Sequence, residues 1–83
     1  MGNRIFKVVA PLAGTFYEAP SPEEPPYAEV GREVSSGDVV CIIESMKVFT
    51  ELRTDQGGIV RKILVEDEDP VMKNQEIMEI EIV

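Results

Sequence analysis

The stretch VSSGDVVCIIE, residues 34–44, returns thirty-seven positions later as VMKNQEIMEIE, residues 71–81. Val34 falls on Val71, the turn residue Gly37 on Asn74, and Ile43 and Glu44 on Ile80 and Glu81. Upstream, PLAGTFY (11–17) lies over DQGGIVR (55–61), with Gly14 on Gly58, but there the offset is 44. A chain that repeats itself once is read as two similar halves, about 5–44 and 48–83. The change of offset gives the first half seven extra residues between its two blocks. Their place is EAPSPEEPPYAEV (18–30), which holds Pro20, Pro22, Pro25 and Pro26. Proline fixes φ and is excluded from central strands, so this insert reads as a rigid protrusion; a loose surface loop is the alternative.

The repeated blocks carry strand signals. RIFKVVA (4–10) is rich in β-formers and DVVCIIE (38–44) holds a short continuous apolar run. GIVRKILV (58–65) alternates until Arg61 and Lys62 break it. MEIEIV (78–83) alternates strictly, with Met78, Ile80 and Ile82 on one side and Glu79 and Glu81 on the other. Turn residues bound each run, as in SSGD (35–38), DQGG (55–58) and KNQ (73–75). No window of helical length keeps an i, i+3, i+4 stripe. The expectation is an all-β domain of seven or eight short strands. Its two halves form two sheets related by a pseudo-twofold axis and closed into a flattened barrel. The termini then lie on one sheet, and the link ESMKVF (44–49) turns on the opposite one.

Composition narrows the function. The chain has 83 residues, enough for one small domain with a thin core and no deep pocket. Its net charge of −8 is a poor platform for nucleic acid or anionic lipid, which need clustered Lys and Arg. Cys41 is the only cysteine and sits in an apolar run, so it reads as a buried, inert thiol. The chain has no histidine, which removes the commonest general base. No apolar run nears the ~18 residues of a membrane span. MGNRIF lacks both a signal-peptide core and the Ser or Thr of a myristoylation site. A cytoplasmic chain is expected.

Lys47 stands apart. VVCIIE passes directly into VFTEL, leaving room only for a tight hairpin turn at Met46-Lys47, and neither residue is the usual Asn-Gly choice. A turn there projects both side chains from its tip. An exposed methionine is costly unless something meets it, so the tip reads as a recognition surface. An unmodified β-barrel interaction module, with Met46 as a binding knob, fits these observations too. EDED (66–69) lacks the spacing of a calcium loop and reads as a solvated turn, and no metal site is expected. No nucleophile–base pair can be assembled, so no catalytic residue is assigned.

CIIESMKVFTEL (41–52), with DQGGIVRKILVEDEDPV (55–71) downstream, resembles the biotinyl domain of the biotin carboxyl carrier proteins of acetyl-CoA carboxylase. That family's attachment motif is Glu-Ala-Met-Lys-Met; here it reads Glu44-Ser45-Met46-Lys47-Val48. APLAGTFYEAPSPEEPPYAEVGREVSSGDVVCIIESMK (10–47) is similar to the family's first half, including its proline-containing thumb, here about residues 19–28. The resemblance spans roughly residues 8–82. It implies a barrel-sandwich hybrid of two four-stranded antiparallel sheets, with biotin joined to Lys47 by an amide. It further implies that biotin protein ligase reads Glu44, Ser45, Met46 and Val48. Biotin carboxylase then loads CO2, and carboxyltransferase passes it to acetyl-CoA to give malonyl-CoA for fatty acid synthesis. The domain is then a carrier with no catalysis of its own, in the cytoplasm or, in a plant, the plastid stroma, with no nucleic acid or membrane partner. Ser45 and Val48 depart from the family's Ala and Met, and Val48 alters what the ligase meets. Lipoyl domains share the fold but present Asp-Lys-Ala at this turn. A carrier for another biotin-dependent carboxylase or decarboxylase is a further alternative. The family's linker and N-terminal region are missing, so the chain reads as an excised domain beginning at an added Met-Gly.

Overall fold

In a computed structural model, which describes residues 4–83, the chain forms eight strands. They are β1 (Arg4–Val9), β2 (Gly14–Tyr17), β3 (Glu33–Val34), β4 (Val39–Ser45), β5 (Val48–Arg53), β6 (Gly58–Ile63), β7 (Pro70–Val71) and β8 (Glu76–Ile82). Two four-stranded antiparallel sheets result, ordered β1-β8-β6-β3 and β5-β4-β2-β7. The expected all-β sandwich is what forms. The described residues contain no helix long and apolar enough to cross a membrane.

The two sheet orders interconvert when every strand is exchanged for the one four places along the chain. The residues obey the same rule: β1 and β2 begin 44 positions before β5 and β6, while β3 and β4 begin 37 before β7 and β8. Backbone hydrogen bonds recur in mated pairs. Gly37 N–H donates to Thr54 O at 2.8 Å, and its mate Asn74 N–H to Ala10 O at 2.7 Å. Val60 N–H donates to Arg32 O at 3.0 Å, and Phe16 N–H to Asp69 O at 2.8 Å. Each sheet takes two strands from each half, so the halves interlock and neither completes a sheet alone.

The core is the apolar set of the repeat taken twice. Phe16 with Val60, Val34 with Val71, Val40 with Ile77, Cys41 with Met78 and Ile43 with Ile80 are mates, and all are buried. Val40 and Cys41 are adjacent, yet strand alternation should put one of them outside. The ladder steps from Val39↔Arg53 to Cys41↔Leu52, leaving Val40 as a one-residue bulge that turns both side chains inward. Ile77 is the matching bulge in β8, between Val8↔Met78 and Val9↔Glu76. The broken alternation at Arg61 is a third bulge, in β6.

The proline-rich segment between β2 and β3 forms no strand. Its root is closed where Tyr27 N–H donates to Glu18 O at 2.9 Å, and Ala28 beside it is buried. The EDED turn does more than face solvent. Asp67 Oδ1 accepts the Glu18 N–H at 3.0 Å, and Glu68 N–H donates to Phe16 O. The turn thus clamps β2 and the root of the proline-rich segment together, and so steadies the floor beside the β4–β5 hairpin.

Candidate functional site

β4 and β5 run to a two-residue turn, since Ser45 pairs with Val48. Met46 has φ of 53° and Lys47 of 67°. Two successive left-handed residues make the turn whose twist matches the strands, but for side chains other than Gly or Asn this costs about 1–2 kcal/mol per residue. Met46 is 91% exposed, and Lys47 is exposed with no ion-pair partner among the described residues. A sequence chosen only for turn formation would place Asn-Gly here. The strained pair points to selection for what these two side chains present.

The strain is held by its surroundings. Glu44 Oε2 accepts the Lys47 N–H at 2.9 Å, capping a turn amide that the ladder leaves free. The sequence marks Glu44 only as a residue for the ligase to read and not as a cap; its spacing of three from Lys47 is the available signal. The mate of Glu44 is Glu81, which is buried and pairs instead with Arg61. Beneath the hairpin, a Cβ on Gly14 would land on the carbonyl oxygen of Glu44, so only glycine lets β2 approach this closely.

Met46 and Lys47 occupy the turn itself, Glu44 and Ser45 its incoming strand and Val48 its outgoing strand, 63% exposed. Phe49 follows, 64% exposed, and tilts over Tyr17 with ring centroids 6.4 Å apart. The structure brings Glu44 and Lys47 into contact and sets Met46 and Val48 open beside them. The other lysines sit elsewhere. Lys7 lies in β1 and pairs with Glu76 at 3.4 Å, Lys62 lies in β6, and Lys73 lies in the turn before β8. Cys41 is buried, and loss of solvation pushes its thiol up to about 12, which holds it protonated near neutrality.

The biotin/lipoyl family model, described as biotin-requiring enzyme, matches residues 7–80. The chain is 44% identical over 78 residues to the biotin carboxyl carrier protein of acetyl-CoA carboxylase from Nostoc, covering 94% of this chain and 43% of that protein. It is 40% identical to the carrier protein of the same name from Haemophilus influenzae, covering 89% of this chain and 48% of that one. Identity to the chloroplastic carrier protein 1 of Arabidopsis thaliana is 48%, covering 77% and 23%. The crystal structure of the Kluyveromyces lactis urea carboxylase contains a region superposing with a TM-score of 0.78 at 29% identity, covering 96% of this chain and 6% of that one. The chain spans less than half the length of the carrier proteins it matches. The conclusion that fold, repeat and comparisons share is that this chain belongs to the biotin/lipoyl family of biotin-requiring enzymes.

Proposed function

We propose that this chain is the carrier domain of an acetyl-CoA carboxylase, with biotin joined to Lys47 Nζ as an amide. The observation that carries the reading is Lys47 itself: exposed, unpaired among the described residues, and held at the tip of a strained two-residue turn. Its surroundings suit such a group, because an amine on a projecting turn can enter a ligase site without the fold opening. The bound group supplies the CO2-carrying chemistry. The protein's part is to present the arm rigidly, through the Glu44 cap and the Gly14 contact, and to raise its effective concentration at two active sites. Biotin protein ligase, biotin carboxylase and carboxyltransferase are the partners of this reading, with a bacterial cytoplasm or plastid stroma as its setting. The domain needs no catalytic residue of its own. Coexpression with a biotin ligase followed by intact mass tests it: one biotin increment is expected, and a lipoyl increment or none would overturn it.

Val48 leads to a second expectation. It is β-branched and stiff, and shorter than the methionine of the family motif. Val48→Met should raise the initial rate of biotinylation and change stability by less than ~0.5 kcal/mol, as befits an exposed site. Equal initial rates would show that the ligase does not read this position.

The proline-rich thumb is proposed to act after biotinylation. Tyr17 to Gly31 is seven residues longer than its mate segment Arg61 to Glu68, so the sandwich closes without the surplus. Removing residues 19–25 while keeping Tyr27 and Ala28 should lower the thermal midpoint by less than about 8 °C, the shift for about 1 kcal/mol. The shortened domain should still accept biotin, while malonyl-CoA formation in the complete complex falls. Unfolding of the shortened chain would make the segment part of the core; unchanged transfer would make it a passive loop.

A further inference from the structure

The pseudo-twofold is an internal control for the outer faces of the two sheets. Mated positions share strand and inner neighbours, and they share register except at the Arg61 bulge, where Lys62 stands opposite Glu79 as Tyr17 stands opposite Ile42; what the sandwich requires therefore recurs at both. On the face beside the hairpin the three positions Tyr17, Ile42 and Phe49 are apolar or aromatic. Their mates on the other sheet are Arg61, Glu79 and Ile5. Two charged residues satisfy the fold where Tyr17 and Ile42 stand, so the fold does not demand an apolar surface there. Phe49 is nonetheless left 64% exposed, an expensive state for an aromatic ring unless something covers it.

A cleft of about 420 Å³ opens over this surface. Tyr17, Ile42 and Phe49 lie beneath it, and Pro20 and Pro22 of the thumb line it as well. Glu18, Glu24, Asp67 and Glu68 also border it, and none of the lining residues is Lys or Arg. The surface is then aromatic below and acidic around.

We infer that this cleft is a docking socket for an arginine on a basic surface of a partner protein. The inference deepens the carrier reading, and rests on it only for which partner is met, not for the binding itself. A planar guanidinium can stack on the Tyr17 and Phe49 rings while its N–H groups reach the rim carboxylates. A lysine ammonium gains the charge attraction without the stacking. An acidic partner meets four carboxylates, and a purely apolar one leaves them facing a dry surface unpaired.

The test uses the unmodified 83-residue chain, titrated with hexa-arginine and hexalysine peptides by backbone amide NMR. Expected shifts concentrate at Tyr17, Glu18, Phe49 and Asp67, with hexa-arginine bound at least ~3-fold more tightly than hexalysine. Phe49→Ser should weaken hexa-arginine binding by at least ~5-fold, and Phe49→Leu should erase the preference over hexalysine. Ile5→Ser, at the mate of Phe49, should leave binding unchanged. Thermal midpoints of all three variants verify that they fold. Equal affinity for the two peptides, with shifts spread over every acidic surface and no effect of Phe49→Ser, would overturn the inference in favour of diffuse charge attraction. Biotinylation of Lys47, followed separately by mass, would stand or fall independently.

Discussion

Replacing Lys47 by arginine should abolish biotin incorporation and leave the domain as stable as before. The two side chains are alike in length and charge, and neither is β-branched, so the cost of a φ of 67° is much the same for both. The residue is exposed and its backbone bond to Glu44 uses the N–H that any residue would supply, so stability should change by less than ~0.5 kcal/mol. What changes is nucleophilicity. A guanidinium stays protonated and cannot form the amide, whereas an amine can lose its proton in a ligase site. Lys73→Arg is the matched control, because Lys73 also lies in a turn, beside Asn74 with its φ of 72°. Intact mass and avidin capture should show a full biotin increment for Lys73→Arg and none for Lys47→Arg. Incorporation into Lys47→Arg at the rate of the unchanged chain would place the modified lysine elsewhere.

The architecture was legible because the same internal constraints are written twice. Gly14 and Gly58, Val34 and Val71, and Ile43 and Ile80 each recur at one of two offsets, and those offsets are the ones by which the strands are mated. The strand bulges were less legible. Arg61 announced its bulge by breaking an alternation, but Val40 and Ile77 sit in runs that are apolar throughout, where an extra residue leaves no mark. Thr54 was also silent: it is a polar mate of Ala10, buried because its hydroxyl donates to Gln56 O at 2.8 Å within the same turn. At the hairpin, spacing was enough to find the Met46-Lys47 turn. The Glu44 cap and the cleft beside Phe49 needed three dimensions, since Tyr17, Phe49 and Asp67 are far apart in the chain and meet only across strands.

Gly58→Ala should destabilise the domain by roughly 3 kcal/mol or more, among the larger effects of a single methyl group. The added Cβ would meet the carbonyl oxygen of Glu81, a backbone atom held in the centre of its sheet and unable to swing aside. Only separation of β6 from β8 would relieve the overlap, and that pair supplies Val60, Met78 and Ile80 to the core. For a domain of this size the thermal midpoint should fall by about 12–24 °C. Gly14→Ala repeats the collision at its mate, against the Glu44 carbonyl, and should cost a similar amount. The two variants differ in where the damage falls. Displacing Glu44 disturbs the carboxylate that caps the Lys47 turn, so Gly14→Ala should also slow biotinylation well below the melting range, while Gly58→Ala should not. Combining both should leave no folded protein, because their joint cost approaches the ~5–15 kcal/mol total of an ordinary domain. Gly37→Ala is the comparison that isolates the cause. Its φ of 92° is unfavourable for alanine, yet nothing lies within 4 Å of the added carbon, so about 1–2 kcal/mol is expected. Thermal melts of the four variants, with ligase assays of the three single variants at 20 °C below each midpoint, decide the matter; equal losses for Gly37→Ala and Gly58→Ala would show that backbone conformation rather than close strand approach sets these glycines.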